Sequence, residues 1–580
     1  MIDNNFNKFW LKKSNLLKWK KKPNLVLKKK KNFYQEWYPD GTLNVYENCI
    51  SNNINSGLGS KIAIYTVNSK NEIDKFSYQD LNKFVNNFCR QILIFLKNKN
   101  ISKKKIMIHS SSSIYSAVSM LACSKLGVHF SVIFEDLENS AINNRIKLFK
   151  PDIFISKWNK KKFFKKFFDL KLPKSKIYFF ENIKLSAQDH KVDIKTKFFK
   201  SNKSLFTLFT SGSTGFPKGI EHSSGGYLVY TKLTCINQFG INSDSTVLTA
   251  SDAGWINGHT YSLFGPLTLG ATTVLVEKPM QLIDINLLKK ILNLNVSILY
   301  LPVTLIRLLR AINKNMNIKS KSLVTLGSMG EPLAPSIGKW FSKSFNLEKK
   351  SIINTYYQTE TSGIISSPKF TDKSKLVPHG SVGKVVTNKI IISKLNKIKK
   401  NEIQIKSSWP GCMKKVINGK KEWMNYWSEK GHFRMFDLGV IKNSNIYIHG
   451  RIDDVMNIRG HRIGSEELES VVLKVADIHE CSAVLTKDSL EGSKITLFVV
   501  SKKHTNKKIE NIIFSNFGSF AIPQKIVYLS ELPKTRSGKI LRRLLRNLID
   551  NPKSKNLGDT STMLNPKIIN EIKKKLIDNS

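Results

Sequence analysis

The sequence predicts an α/β protein: a large N-terminal domain of mixed and parallel sheets with helices, followed by a small α+β C-terminal domain. Short apolar runs alternate with helical periodicity from about residue 101, and the alternation resumes after residue 200. A break in composition at Gly450-Arg451-Ile452-Asp453-Asp454 then separates this region from a shorter one with its own helix and strands. Strand–helix alternation implies parallel strands joined by crossover helices.

In chain order, residues 1–60 are mixed, with a turn at Pro39-Asp40-Gly41. Ile106–His109 reads as a short strand, and Ile114–Leu126 as a helix closed by Gly127, which suits a left-handed C-cap. Val128–Phe134 is an apolar, β-branched run. Leu137, Ala141, Ile142 and Ile146 recur at helical spacing, and Asp152–Ser156 is another strand. Phe163–Lys174, basic and aromatic, reads as a surface segment. Leu205–Phe209 is a strand that runs into a Ser/Thr/Gly-rich loop. Val247–Thr249, Thr273–Val276, Ile298–Leu301 and Leu323–Thr325 are further strands, and Phe433–Met435 with Asn445–His449 an antiparallel pair. Past the break, Glu466–Val475 and Leu541–Asn547 read as helices and Ser482–Thr486 and Ile495–Val500 as strands. Residues 551–580 read as a polar tail with one Lys-rich helix. The expected units are therefore a basic extension (1–34), the large domain (35–452), the small domain (453–550) and the tail.

Of the 580 residues, 41% are hydrophobic, enough for a sizeable core. The net charge of +51 comes from lysines spread along the whole chain, so no nucleic-acid partner is expected; a positive field still attracts anionic substrates. Six cysteines form no CxxC pair, which points away from a disulfide framework and towards the cytoplasm. No apolar run approaches the roughly 20 residues a membrane span needs. The basic N-terminus lacks the apolar core of a signal peptide, and its scarcity of Arg and Ser counts against mitochondrial targeting.

The sharpest local signal is Thr210-Ser211-Gly212-Ser213-Thr214-Gly215-Phe216-Pro217-Lys218-Gly219. Small residues let backbone N–H groups approach an anion, while hydroxyls and a lysine add donors to phosphate oxygens. The GxxxxGK[ST] spacing of a Walker loop is absent. A flexible linker would not follow an apolar strand and end in Pro-Lys-Gly.

This loop resembles the phosphate loop of the adenylate-forming superfamily. Tyr357-Gln358-Thr359-Glu360-Thr361, Phe436-Asp437-Leu438-Gly439, Gly450–Asp454 and Pro533-Lys534-Thr535-Arg536-Ser537-Gly538-Lys539 follow in the family's order. Trp37–Asn44, Ala117–Phe134, Gly225–Tyr230, Asp252–Pro266 and Gly460–Gly464 narrow the resemblance to acetyl-CoA synthetases and their short-chain relatives, over about residues 35–546.

The resemblance implies an AMP-forming ligase that uses ATP, coenzyme A and Mg²⁺. Thr210, Ser211, Gly212, Ser213, Thr214, Gly215 and Lys218 would hold phosphates, assisted by Thr359 and Arg462. Glu360 would bind Mg²⁺, a hard cation. Gly330, Glu331, Pro332 and Thr355 would flank adenine, and Asp437, supported by Arg451, would bind ribose. Lys539 would catalyse adenylation as a mobile point charge and is a candidate for acetylation. The resemblance also implies that the C-terminal domain rotates about Asp453, bringing Arg459-Gly460-His461 to the CoA tunnel. Arg145 would meet the nucleotide end of CoA.

Several positions depart from the family. Tyr356-Tyr357 replaces a Trp pair, Asn257 stands for Thr and Met329 for Val. With Ile256 these form the expected acyl pocket. Asn257 and Tyr357 suggest a slightly larger or polar short acid, unless the changes compensate one another and acetate remains the substrate. Arg459 replaces a small residue, and Phe514 stands where a basic one is usual. Two other classes compete: an adenylating enzyme that loads a carrier protein, and a non-catalytic nucleotide- or CoA-binding relative. The motifs leave the oligomeric state open.

Overall fold

The computed structural model describes residues 4–98, 105–180, 194–211, 217–372, 376–398, 401–452, 455–458, 461–488, 492–535, 538–554, 557, 560 and 563–578. Two seven-stranded sheets dominate the described residues. In the first, Ile177–Phe179, Ile153–Ser156, Lys105–His109, His129–Ile133 and Ser204–Ser211 run parallel. The antiparallel strand Pro217–Ser223 follows and Lys415–Val416 forms the edge. In the second, Ile353–Asn354, Thr325–Met329, Ile298–Pro302, Thr246–Thr249, Thr272–Val276 and Ile62–Val67 are parallel, with Ile73–Ser77 antiparallel at the edge.

The helix Ile114–Leu126 begins at Ser113, whose side chain caps Ser116 N–H, and ends at Gly127 with φ +66°. A three-stranded antiparallel sheet, Asn401–Ile405, Phe433–Lys442 and Asn445–Arg451, leads to the last part of the chain. There Ile478–Asp488, Gly492–Ser501 and Lys525–Tyr528 form a sheet covered by the helices Ser465–Val472 and Asn506–Phe517.

Three sequence expectations change. Within 163–174, Phe163 and Phe167 are buried against His109, Trp158 and Phe179 while Phe168 is 84% exposed, so this surface segment is anchored in the core by two rings. The lysines of the helix Lys160–Lys166 keep their charges outward while aromatic rings carry the contact. The first 34 residues, expected as a basic extension, pack onto the large domain. Trp10, on the helix Asn4–Ser14, is fully buried against Trp37 and Tyr230. The polar-looking tail also packs: Met563, Ile568, Ile572 and Leu576 join a core with Val527, Leu532, Ile540 and Leu544. All six cysteines are buried and free. No helix among the described residues is long and apolar enough to cross a membrane.

Candidate active site

The strands that flank the Ser/Thr/Gly-rich segment are antiparallel, Thr210 pairing with Lys218 and Ser211 with Pro217. Gly212, Ser213, Thr214 and Gly215 lie outside the described residues, as does the side chain of Ser211. Gly219 is dictated by space, since a Cβ there would lie 2.4 Å from Ile417. Lys218 Nζ is 2.8 Å from Glu422 Oε2 and sits over the Tyr426 ring.

Across from the hairpin, the turn Thr359–Thr361 carries Glu360, which is 8% exposed. Tyr426 Oη donates to Glu360 Oε1 at 2.7 Å. The Thr359 carbonyl is held by His222 Nε2 at 2.8 Å. Burial pushes the His222 pKa down to about 4, so the ring is neutral at pH 7 and donates from Nε2. Tyr426 and His222 went unremarked in the sequence; each meets its partner only through the tertiary fold.

Asp437 and Arg451 face each other on adjacent strands, with Arg451 Nη1 3.6 Å from Asp437 Oδ1. Tyr356 Oη and Gln358 Nε2 both donate to Asp437 Oδ2 at 2.7 Å. Burial raises the Asp437 pKa, opposed by the charge of Arg451, by these two hydrogen bonds and by the charge of Lys539. The structure therefore brings Lys539 into electrostatic range of Asp437.

Lys539 is exposed at the end of a tight turn. Thr535 N–H donates to Lys539 O at 2.8 Å, and Lys539 N–H to Thr535 Oγ1 at 3.1 Å. Gly538 has φ +83°, and a Cβ on it would lie 2.2 Å from Thr304 Oγ1. The turn is thus seated on Thr304, at the start of the helix Val303–Ile312 in the large lobe.

Gly330, with φ +89°, Glu331 and Pro332 follow the strand Thr325–Met329. Glu331 pairs with Arg307, which the sequence did not mark. Thr355 Oγ1 donates to Ser328 O at 2.8 Å and contacts Tyr300 Oη at 2.6 Å.

From Tyr300 the contacts continue into the expected acyl pocket. Tyr300 Oη donates to Tyr357 Oη at 3.3 Å. Tyr357 Oη donates to Asn257 Oδ1, and Asn257 Nδ2 donates to Met329 Sδ. Ile256 is buried beside Asn257 on the same helix. The three departures from the family are therefore bonded to one another.

The CoA expectations fare differently. Arg145 is 3% exposed, donates from Nη1 to Ala141 O at 2.8 Å and lies over the Phe209 ring. It lies against the strand Ser204–Ser211. Asp453, Arg459 and Gly460 lie outside the described residues. Arg462 has a described backbone, paired with Asn457, but its side chain does not.

Comparison with known proteins gives a consistent picture. The AMP-binding enzyme family matches residues 56–400, its C-terminal domain family residues 467–539, and the acetyl-coenzyme A synthetase N-terminus family residues 2–49. The last match extends the likeness through the first 34 residues, which the motifs alone had left out. The acetyl-coenzyme A synthetase of Leptospira biflexa is 31% identical over 97% of this chain and 93% of its own. That of Streptomyces coelicolor is 28% identical over 98% and 92%. The chloroplastic/glyoxysomal enzyme of Arabidopsis thaliana is 29% identical over 93% and 78%. Among solved structures, the acetoacetyl-CoA synthetase from Streptomyces lividans superposes with a TM-score of 0.81, covering 100% of this chain and 94% of that one. At 14% identity, that likeness speaks to the fold alone.

Proposed function

Because the chain belongs to the AMP-binding enzyme family, in its acetyl-coenzyme A synthetase group, we propose that it is an AMP-forming acid–thiol ligase for a short carboxylic acid. A carboxylate oxygen attacks the α-phosphorus of ATP and pyrophosphate leaves. The CoA sulfur then attacks the acyl carbon of the adenylate, AMP leaves and the thiol proton is released. The observation that supports this reading is Tyr426, which bonds Glu360 and lies under Lys218, together with Gln358, which ties the same turn to Asp437.

The residues divide the work of positioning and charge stabilisation, which dominate phosphoryl chemistry of this kind. The Ser/Thr/Gly-rich segment with Thr210 and Lys218 binds the outer phosphates, with Thr359 beside them. Asp437 accepts hydrogen bonds from the ribose hydroxyls, and the charge of Arg451 opposes the effect of burial on it. Gly330, Glu331, Pro332 and Thr355 flank the base. Lys539 bridges the attacking carboxylate and the α-phosphate. Mg²⁺ fits Glu360, because Tyr426 occupies only Oε1. Among the described residues no three His, Cys, Asp or Glu side chains gather to hold a metal, so the remaining ligands would be phosphate oxygens and water. When bound, the ion neutralises charge on the phosphates. After adenylation the C-terminal lobe turns about Asp453, presenting Arg459 and Gly460 to CoA. The protein works in the cytoplasm.

The acid is short and apolar, acetate or propionate. Asn257 and Tyr357 are bonded to each other, which leaves neither aimed at a substrate hydroxyl and favours compensation over a polar substrate. The test is carboxylate-dependent formation of AMP and pyrophosphate, with and without CoA, for acetate, propionate and 3-hydroxypropionate. We expect kcat/KM for propionate to exceed that for 3-hydroxypropionate by about 10- to 100-fold. Turnover with a carrier protein but not CoA, or no AMP formation, refutes the assignment.

A further inference from the structure

The family match to the C-terminal domain stops at Lys539, yet the chain beyond it returns to the lysine turn. Met563 is 2% exposed and packs among Leu532, Ile540 and Leu544, which flank that turn. Met563 also forms a β-bridge with Thr535, and the Leu564 N–H donates to Lys534 O at 2.8 Å. Glu571, on the helix Ile568–Ile577, accepts from the Ser530 N–H at 2.8 Å, and the Asn565 amide donates to Glu531. The far side of the same segment is fixed by Lys534 Nζ, which makes 2.7 Å bonds to both oxygens of the buried Glu480 carboxylate.

We propose that the tail 563–577 is a strap that positions Lys539 for adenylation. The inference rests on the reading of Lys539 given above. Thr535 closes the turn onto Lys539 through two hydrogen bonds, so a shift in the backbone at 534–535 is passed directly to the lysine. Met563 and Leu564 hold that backbone from outside. Neither touches substrate; they are positioning residues. The strap is built onto the small lobe and travels with it, so its effect belongs to the step that uses Lys539 and not to acyl transfer to CoA.

The experiment compares two half-reactions in the full-length chain. Acid-dependent ATP–pyrophosphate exchange reports adenylation, and thioester formation from supplied acyl-adenylate and CoA reports transfer. Leu564→Pro deletes the N–H bonded to Lys534 O. Leu564→Ala, at a side chain 44% exposed, keeps that N–H. Met563→Ala removes the apolar anchor. We expect Leu564→Pro and Met563→Ala to lower exchange on the order of 10- to 100-fold, as small displacements of a catalytic group do, with transfer held within about twofold. Leu564→Ala should behave as the parent. Equal loss of both half-reactions would mean a merely structural role and overturns the strap, as does unchanged exchange in both anchor variants. Lys539→Ala separates two failures. Exchange surviving in that variant overturns the lysine's role and the strap with it; exchange lost there but intact in Leu564→Pro overturns the strap alone.

Discussion

Tyr357→Phe should erode the preference of the acyl pocket for an apolar acid over a hydroxy acid. In the parent, Tyr357 Oη donates to Asn257 Oδ1, and Asn257 is 8% exposed. Removing the hydroxyl leaves a buried amide oxygen without its donor. Water can satisfy that oxygen while the pocket is empty, but acetate or propionate must expel the water and offers only C–H in return. A buried acceptor left bare costs about 1–3 kcal/mol, which lowers kcat/KM for the alkyl acids by about 5- to 150-fold. 3-Hydroxypropionate carries its own donor and escapes much of this loss, so the propionate to 3-hydroxypropionate ratio should fall by about tenfold or more.

Asn257→Val added to Tyr357→Phe removes both partners, and replacing both members of a buried hydrogen bond by apolar groups is nearly neutral. The double variant should therefore recover much of the propionate activity, a non-additivity of at least about 1 kcal/mol. Steady-state kcat/KM for the three acids in the four proteins of this cycle is the assay. A selectivity ratio in Tyr357→Phe that stays within about twofold of the parent, or strictly additive effects, would falsify the claim that this pair lines the acyl pocket.

Other consequences follow from the same geometry. Lys539→Ala should reduce ATP–pyrophosphate exchange by about 10²- to 10³-fold, the scale for loss of one preorganised charge, with transfer from supplied acyl-adenylate far less affected. Tyr426→Phe frees Glu360 Oε1, and a hydrogen bond to a charged group is worth about 1.5–3 kcal/mol; activity should need about tenfold more Mg²⁺ for half saturation, and an unchanged Mg²⁺ dependence contradicts the role given to Glu360. Burial lowers His109, His129 and His222 to pKa values of about 4. Below pH 6.5 the unfolded chain binds protons that the folded chain refuses, so stability is full above that pH and falls progressively towards pH 4. At pH 5 the loss is about 2 kcal/mol per histidine. Thermal midpoints at a fixed scan rate should drop steeply between pH 6.5 and 5, and a flat profile there refutes the buried-neutral assignment.

The parts legible in the sequence were those whose cause is local. The strand before Thr210 follows from its own apolar run, and the helix Ile114–Leu126 from Ser113 and Gly127, which cap it in place. The stripe Ile568, Ile572, Leu576 was present in the sequence but hidden by intervening lysines, and the same masking hid Phe163 and Phe167. Tyr426 could not be found this way. Its partner lies 66 residues away, and nothing in Trp423–Trp427 distinguishes a tyrosine that orients a carboxylate from one that fills a core. Arg145 shows the converse. The resemblance implied that it meets CoA, and the structure shows its guanidinium buried, bonded to the Ala141 carbonyl and lying over Phe209.

The contacts around Asp437 bear on how one pocket can serve two half-reactions. Arg451, Tyr356 and Gln358 all belong to the large lobe or its last strand, and they oppose the upward push that burial gives the Asp437 pKa. Lys539 adds its charge from the small lobe, through a turn whose seat on the large lobe is the Gly538–Thr304 contact. If the small lobe rotates away, the ribose site loses one distant cation and keeps its hydrogen bonds, so the adenylate stays bound. The α-phosphate, by contrast, loses the charge assigned to promoting its reaction. Gly538→Ala tests this division, since a Cβ cannot fit against Thr304 without displacing the turn: adenylation should fall while affinity for AMP holds. Parallel loss of both would mean that nucleotide binding depends on the small lobe, and the two sets of contacts would no longer be separable.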